Sequence, residues 1–110
     1  MLASIIEPYL KIIKEKGEIV FNKDFYKLKD WQKILMYLLG RKVIMIKGLK
    51  KDFKEEISPK EIEEFLGVQS KSIANYGSRE LKGIIKSEKG NYKIPNFNLF
   101  KCEEVMKKNE

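Results

Sequence analysis

Between positions 69 and 82 stand Gln69, Ser70, Lys71, Ser72, Asn75, Arg79 and Lys82, polar side chains at spacings that a helix would gather on one side. Their chemistry is hydrogen bonding, not bond breaking. An Asn amide can pair bidentately with adenine, and an Arg or Lys with guanine, when a helix lies in the major groove of DNA. Ser70 and Ser72 fall in a first helical turn, where hydroxyls and free backbone N–H groups can meet phosphate. Further along, Lys86, Lys89, Asn91 and Lys93 surround a Gly-containing turn. With Lys82, these lysines would neutralise backbone charge, and Lys89 and Asn91 at the turn would reach the flanking minor groove.

The rest of the composition removes other chemistries. Histidine is absent, and Cys102 is the only cysteine. The commonest general base, cysteine-based zinc sites and intrachain disulfides are therefore unavailable. The acids Glu61, Glu63 and Glu64 read as a solvated helix face near a helix N-terminus rather than a metal site. No enzyme activity, cofactor, metal or small-molecule ligand is expected. Cys102, Trp31 and Tyr76 read as core residues, and Gly77 as a point of close helix approach.

Net charge is +7, carried almost entirely by lysine. It is patterned along the chain. Residues 1–54 hold 13 basic and 6 acidic residues, 55–66 hold 1 and 5, 67–93 hold 6 and 2, and 94–110 hold 3 of each. Only the 1–54 and 67–93 stretches are basic, as an anionic partner requires. The Lys/Glu/Ile-rich composition also suits a heat-adapted source, where ion-pair networks gain value. No apolar run approaches the roughly 20 residues that span a bilayer, and no signal-peptide pattern opens the chain, so a cytoplasmic protein is expected.

The elements that must position these residues follow from periodicity. Residues 2–16 read as an amphipathic helix carrying Ile5, Ile6, Tyr9 and Ile13, with Gly17 as its stop. Residues 18–21 read as a short strand and 22–24 as a turn, with Phe25, Tyr26 and Leu28 anchoring the connection. Asp30 is placed to cap a helix over 31–48 ending at Gly48; a strand over 43–46 is the alternative. Ser58, Pro59 and Glu61 announce a capped helix stopped by Gly67. A second helix is predicted over 70–82, with Ile73, Gly77, Leu81 and Ile84 inward. A hairpin with Gly90 and Asn91 at its tip follows. A last helix begins at Asn98, with Phe97 and Cys102 as a hydrophobic staple, Leu99, Cys102 and Met106 on its apolar side, and Lys107 and Lys108 at its end.

This order, and above all the stretch LGVQSKSIANYGSRELKGIIK followed by SEKGNYKIP, resembles the winged helix-turn-helix DNA-binding family, closest to small archaeal regulators. The resemblance implies a mainly α chain with a small β-hairpin (α+β): one winged-helix domain over 1–110, core about 30–95, flanking helices about 2–16 and 98–108. It implies a transcription regulator with helix 70–82 in the major groove and wing 84–95 on the backbone. Such regulators usually bind double-stranded DNA as dimers. Ile5, Ile6, Tyr9, Ile13, Leu99, Cys102 and Met106 are the expected homodimer contact. The alternative is a winged-helix protein–protein interaction module of a transcription or assembly complex, without sequence reading. RNA is a weaker option, since Tyr92 is the only aromatic of the wing.

Overall fold

The computed structural model of the chain describes residues 2–108. A short helix, α1 (Leu2–Ile6), opens it. Pro8 lacks the N–H and the conformational freedom to continue a helix, and the chain turns there. Two strands follow, β1 (Leu10–Ile13) and β2 (Glu18–Phe21), paired antiparallel with Leu10 opposite Phe21 and Ile12 opposite Ile19. The amphipathic helix expected over 2–16 is therefore a helical turn and a strand. Residues 18–21 are a strand as expected. A lone strand leaves its backbone groups unpaired, and the segment before Gly17 satisfies them. Gly17 stops no helix. It turns the hairpin at φ +63°, and a Cβ on it would lie 2.8 Å from Lys50 Cβ.

A 3-10 turn, Lys23–Lys27, replaces the simple turn, burying Phe25, while Tyr26 stays exposed with its ring edge-on to Phe21 and Phe25. The expected long helix is present as α2 (Asp30–Lys47), with Gly48 closing it in the left-handed conformation; the strand alternative over 43–46 does not form. Asp30 is the first helical residue rather than the cap. The cap is Lys29, whose N–H donates to the Gln32 side chain at 2.9 Å. Trp31, Ile34, Leu35, Leu38 and Leu39 are buried, and α2 is the axis of the core. Gly40 faces the first hairpin so closely that a Cβ would meet Ile19 Cδ1 at 3.0 Å.

Helix α3 (Pro59–Leu66) carries the expected capping box: the Glu61 N–H donates to Ser58 Oγ at 3.2 Å, and the Ser58 N–H to Glu61 Oε1 at 3.3 Å. Gly67 ends it at φ +73°. Helix α4 (Ser70–Ser78) stops four residues short of the expected Lys82, and Arg79–Lys82 form turns. Strands β3 (Lys86–Glu88) and β4 (Asn91–Lys93) form the second hairpin, and Ile57 bridges to Tyr92 by reciprocal backbone bonds of 3.0 and 2.8 Å. A 3-10 turn, Asn96–Asn98, leads into α5 (Leu99–Lys108). The fold is α+β, mostly helical with two small antiparallel hairpins. One hydrophobic cluster extends from Ile6 to Met106. Among the described residues no helix is long and apolar enough to cross a membrane.

Candidate nucleic-acid interface

Helix α4 follows α3 after the three residues 67–69. Ile73 is fully buried, and Tyr76 and Gly77 border the same side. At 3.6 residues per turn this turns Lys71, Ala74, Asn75 and Ser78 outward, and all four are exposed. Of the residues expected here, Gln69, Lys71, Asn75, Arg79 and Lys82 are exposed, while Ser70 and Ser72 are half-buried. Arg79 and Lys82 are not on the helix. Arg79 is its C-cap, and the following turn is closed by the Leu81 N–H donating to the Tyr76 carbonyl at 2.8 Å. The helical face is thus Lys71–Asn75–Ser78, with Arg79 just beyond its end.

Two expectations change in detail. Gly77 is not a point of close approach: a Cβ there would find Ile85 Cδ1 at 3.6 Å and Tyr92 Cε1 at 3.8 Å, ordinary contact distances. The N-terminus of α4 is also already engaged, because the Ser70 N–H donates to Glu63 Oε1 at 2.6 Å. The carboxylate occupies the position assigned to phosphate beside Ser70. The bond corrects the reading of Glu63 as part of a solvated acidic face, because its partner lies on the following helix, seven residues on.

The second hairpin has Lys89 and Gly90 as its two-residue tip, at φ +52° and +81°. Positive φ at both positions is the requirement of a type I′ turn, so the tip is Lys89–Gly90 and Asn91 stands in β4 opposite Glu88. Strand alternation divides the hairpin's side chains. Tyr92 lies toward Gly77 of α4, whereas Lys86, Glu88 and Lys93 line a cleft against α2. Lys86 and Lys93 are therefore on the face turned away from α4. Lys89, at the tip, is exposed.

The hairpin is held in place by polar contacts the sequence did not announce. Asn98 immediately precedes α5, as expected; it is buried, and its Nδ2 donates to the Ile84 carbonyl at 2.9 Å. Lys101 Nζ donates to the Gly83 carbonyl at 3.4 Å. Lys42 of α2 is buried, its Nζ 2.7 Å from Glu55 Oε2 and 2.6 Å from Asn96 Oδ1. The Glu55 contact is an ion pair off the hydrogen-bonding direction, since that oxygen has no aligned donor. Next to it, Arg41 Nε and Nη2 donate to the Glu55 and Lys54 carbonyls at 3.0 and 2.6 Å, with the guanidinium over the Phe53 ring. Arg41 and Lys42 are thus internal supports, outside the charge offered to a partner.

The residues assigned to a dimer contact are largely enclosed. Ile6, Cys102 and Met106 are buried in the chain's own core, and Ile5, Tyr9, Ile13 and Leu99 are half-buried. The Phe97–Cys102 staple does not form, for Phe97 is 73% exposed while Cys102 is enclosed. Enclosure pushes the Cys102 thiol up to about 11. The side chains of Lys107 and Lys108 lie outside the described residues. Among the described residues no group of three or more His, Cys, Asp or Glu side chains is gathered to hold a metal. Comparison of the chain with protein families, with characterised proteins and with solved structures finds no match.

Proposed function

We propose that this chain is a winged-helix protein that binds double-stranded DNA and regulates transcription. The observation that carries the reading is the outward Lys71–Asn75–Ser78 face of α4, which is preceded by α3 across a tight Gly67 turn and flanked by a hairpin with a lysine at its tip. The order α2, α3, α4, β3, β4, α5 supports it, because it is the succession of elements that the winged-helix resemblance implies. Lys71 and Asn75 would meet base edges, while Arg79, Lys82 and Lys89 would meet phosphate. Repression or activation would follow from occupancy of the site.

Binding to a random duplex, followed by fluorescence anisotropy, should weaken steeply with salt. Four cationic contacts (Lys71, Arg79, Lys82 and Lys89) give a slope of roughly −3 to −4 in log K against log salt. Lys71→Ala should reduce that slope by about one. Asn75→Ala should instead relax preference at one base pair, costing about 1–3 kcal/mol there in duplexes selected from a random pool. A duplex that produces no salt-sensitive binding ends the DNA reading.

A second reading, a protein–protein interaction module, is favoured by one observation. The carboxylate of Glu63 at the head of α4 opposes the approach of phosphate to that helix N-terminus. Glu63→Gln separates the two. A DNA reader should gain affinity with the substitution, whereas an interaction module should show no duplex binding in either form.

A further inference from the structure

Behind the second hairpin, on the side away from α4, lies a cleft of about 500 Å3 between α2, β3–β4 and the 95–97 segment. Its volume falls within the range of small-molecule sites. Met45 and Ile46 of α2 form one wall and Phe97 another, and these large apolar side chains are all exposed. Lys42 lies one turn before Met45 and Ile46 and therefore on the same face of α2. Its ammonium is neutralised by Glu55 and held by Asn96, which makes a rigid floor without net charge.

The rim differs. Lys86 and Lys93 stand directly opposite each other in the antiparallel register. Like charges in that position repel and destabilise a hairpin. Glu56 approaches Lys93 only at 3.6 Å, Lys86 has no ion-pair partner among the described residues, and Glu88 contributes one opposing charge to the rim. In the empty protein Glu56 and Glu88 offset part of this repulsion, and the arrangement leaves the Lys86 ammonium without an ion pair among the described residues, over an exposed apolar wall. It becomes favourable once an anion lies between the two ammonium groups and an apolar body covers the wall.

We propose that this cleft binds a small amphipathic anion, its carboxylate on the Lys86–Lys93 pair and its apolar body against Met45, Ile46 and Phe97. The inference stands on the cleft alone and does not rest on the DNA reading.

The test is a titration of the full-length, isotopically labelled protein with 2-naphthoate, followed by amide shifts. Parallel titrations use 2-naphthamide, which keeps the ring system and loses the charge, and acetate, which keeps the charge and loses the rings. Saturable shifts confined to residues 42–46, 86–93 and 96–97 are expected with 2-naphthoate, and binding at least tenfold weaker with either control. Lys86→Gln and Phe97→Ala alter exposed side chains, so the fold is retained, as an unchanged melting curve would verify. Each should weaken 2-naphthoate about fivefold or more. Scattered or non-saturating shifts, equal binding of the amide, or indifference to both substitutions would overturn the proposal. So would an acidic peptide that takes the same residues more tightly than 2-naphthoate, since the occupant would then be a protein.

Discussion

Single residues decide how much of the basic charge is free. Lys42 and Glu55 have side chains only 4% and 6% exposed, so their pairing is an interior matter. Removing one partner leaves the other charged and enclosed, whereas removing both leaves only a packing problem. Lys42→Met should therefore cost about 3–5 kcal/mol in urea unfolding, and the double variant Lys42→Met/Glu55→Leu should recover most of that loss. An additive double variant would show that the pair is not coupled. Cys102 supplies a pH dependence. Burial raises its thiol from 9.0 to about 11, so the native state holds its proton longer than the unfolded chain does. Its contribution is complete below pH 9 and is lost as pH rises from about 9 to 11, by about 3 kcal/mol in all. Cys102→Ala should flatten this part of the stability profile. A thiol reagent at pH 8 should react with the native protein only as fast as it opens. Both effects were foreshadowed in the sequence for Cys102, whose helical spacing placed it on an apolar face. Lys42 was not legible, because a lysine inside an apolar run gives no sign of a carboxylate 13 residues away.

Elements are governed by their ends and by what touches them. Helix α3 was readable to the residue, since Ser58, Pro59, Glu61 and Gly67 are all local signals. Helix α4 was readable at its start and not at its end. Nothing local stops it at Ser78, and the chain leaves the helix so that Leu81 and Ile84 can reach the core. Gly77 offers a test at this scale. Its place would accept a methyl group at ordinary contact distance from Ile85 and Tyr92, and alanine favours the helix. Gly77→Ala should stabilise the protein by about 0.5 kcal/mol, raising the melting temperature by roughly 2–4 °C. A loss of stability would mean that α4 sits closer to the hairpin than these distances indicate. The contrasting position is Gly40, where α2 meets Ile19 and the same substitution must push a side chain aside.

At the scale of the molecule, a Cα radius of gyration of 12.8 Å is close to the ~13 Å typical of a compact chain of this length. The acidic stretch 55–66 is mostly used internally: Glu55 pairs with Lys42, Glu56 approaches Lys93, Glu61 closes the cap of α3, and Glu63 holds Ser70. The net positive charge is therefore displayed mainly by lysines elsewhere, including those of α4 and the hairpin tip. Of the contact expected for a homodimer, Ile6, Cys102 and Met106 face inward, while Ile5, Tyr9, Ile13 and Leu99 are half-buried. Phe100 on α5, 72% exposed and next to the half-buried Leu99, is a candidate to make it. Sedimentation equilibrium at about 10 μM, in the range where typical specific contacts populate dimers, should show a dimer that Phe100→Ser converts to monomer. A wild-type monomer under those conditions would remove dimerisation from the proposal.

By itself the sequence determined what is written in adjacent residues: the capped α3, the strand at 18–21 and the polar outward face of α4; it favoured the long α2 over a strand at 43–46, and it placed the tip of the second hairpin one residue late, at Gly90–Asn91 instead of Lys89–Gly90. These are settled within a few residues of backbone, by caps, by periodicity and by glycine's access to positive φ. Tertiary structure decided the rest. It made residues 10–13 a strand, because β2 needed a partner and Pro8 barred the helix. It ended α4 early, buried Lys42 against Glu55, turned Asn98 toward Ile84, and set Lys86 and Lys93 on the far side of the hairpin from α4. Each of these outcomes balances a desolvated polar group or an unpaired strand against a partner distant in sequence, and periodicity carries no record of such partners.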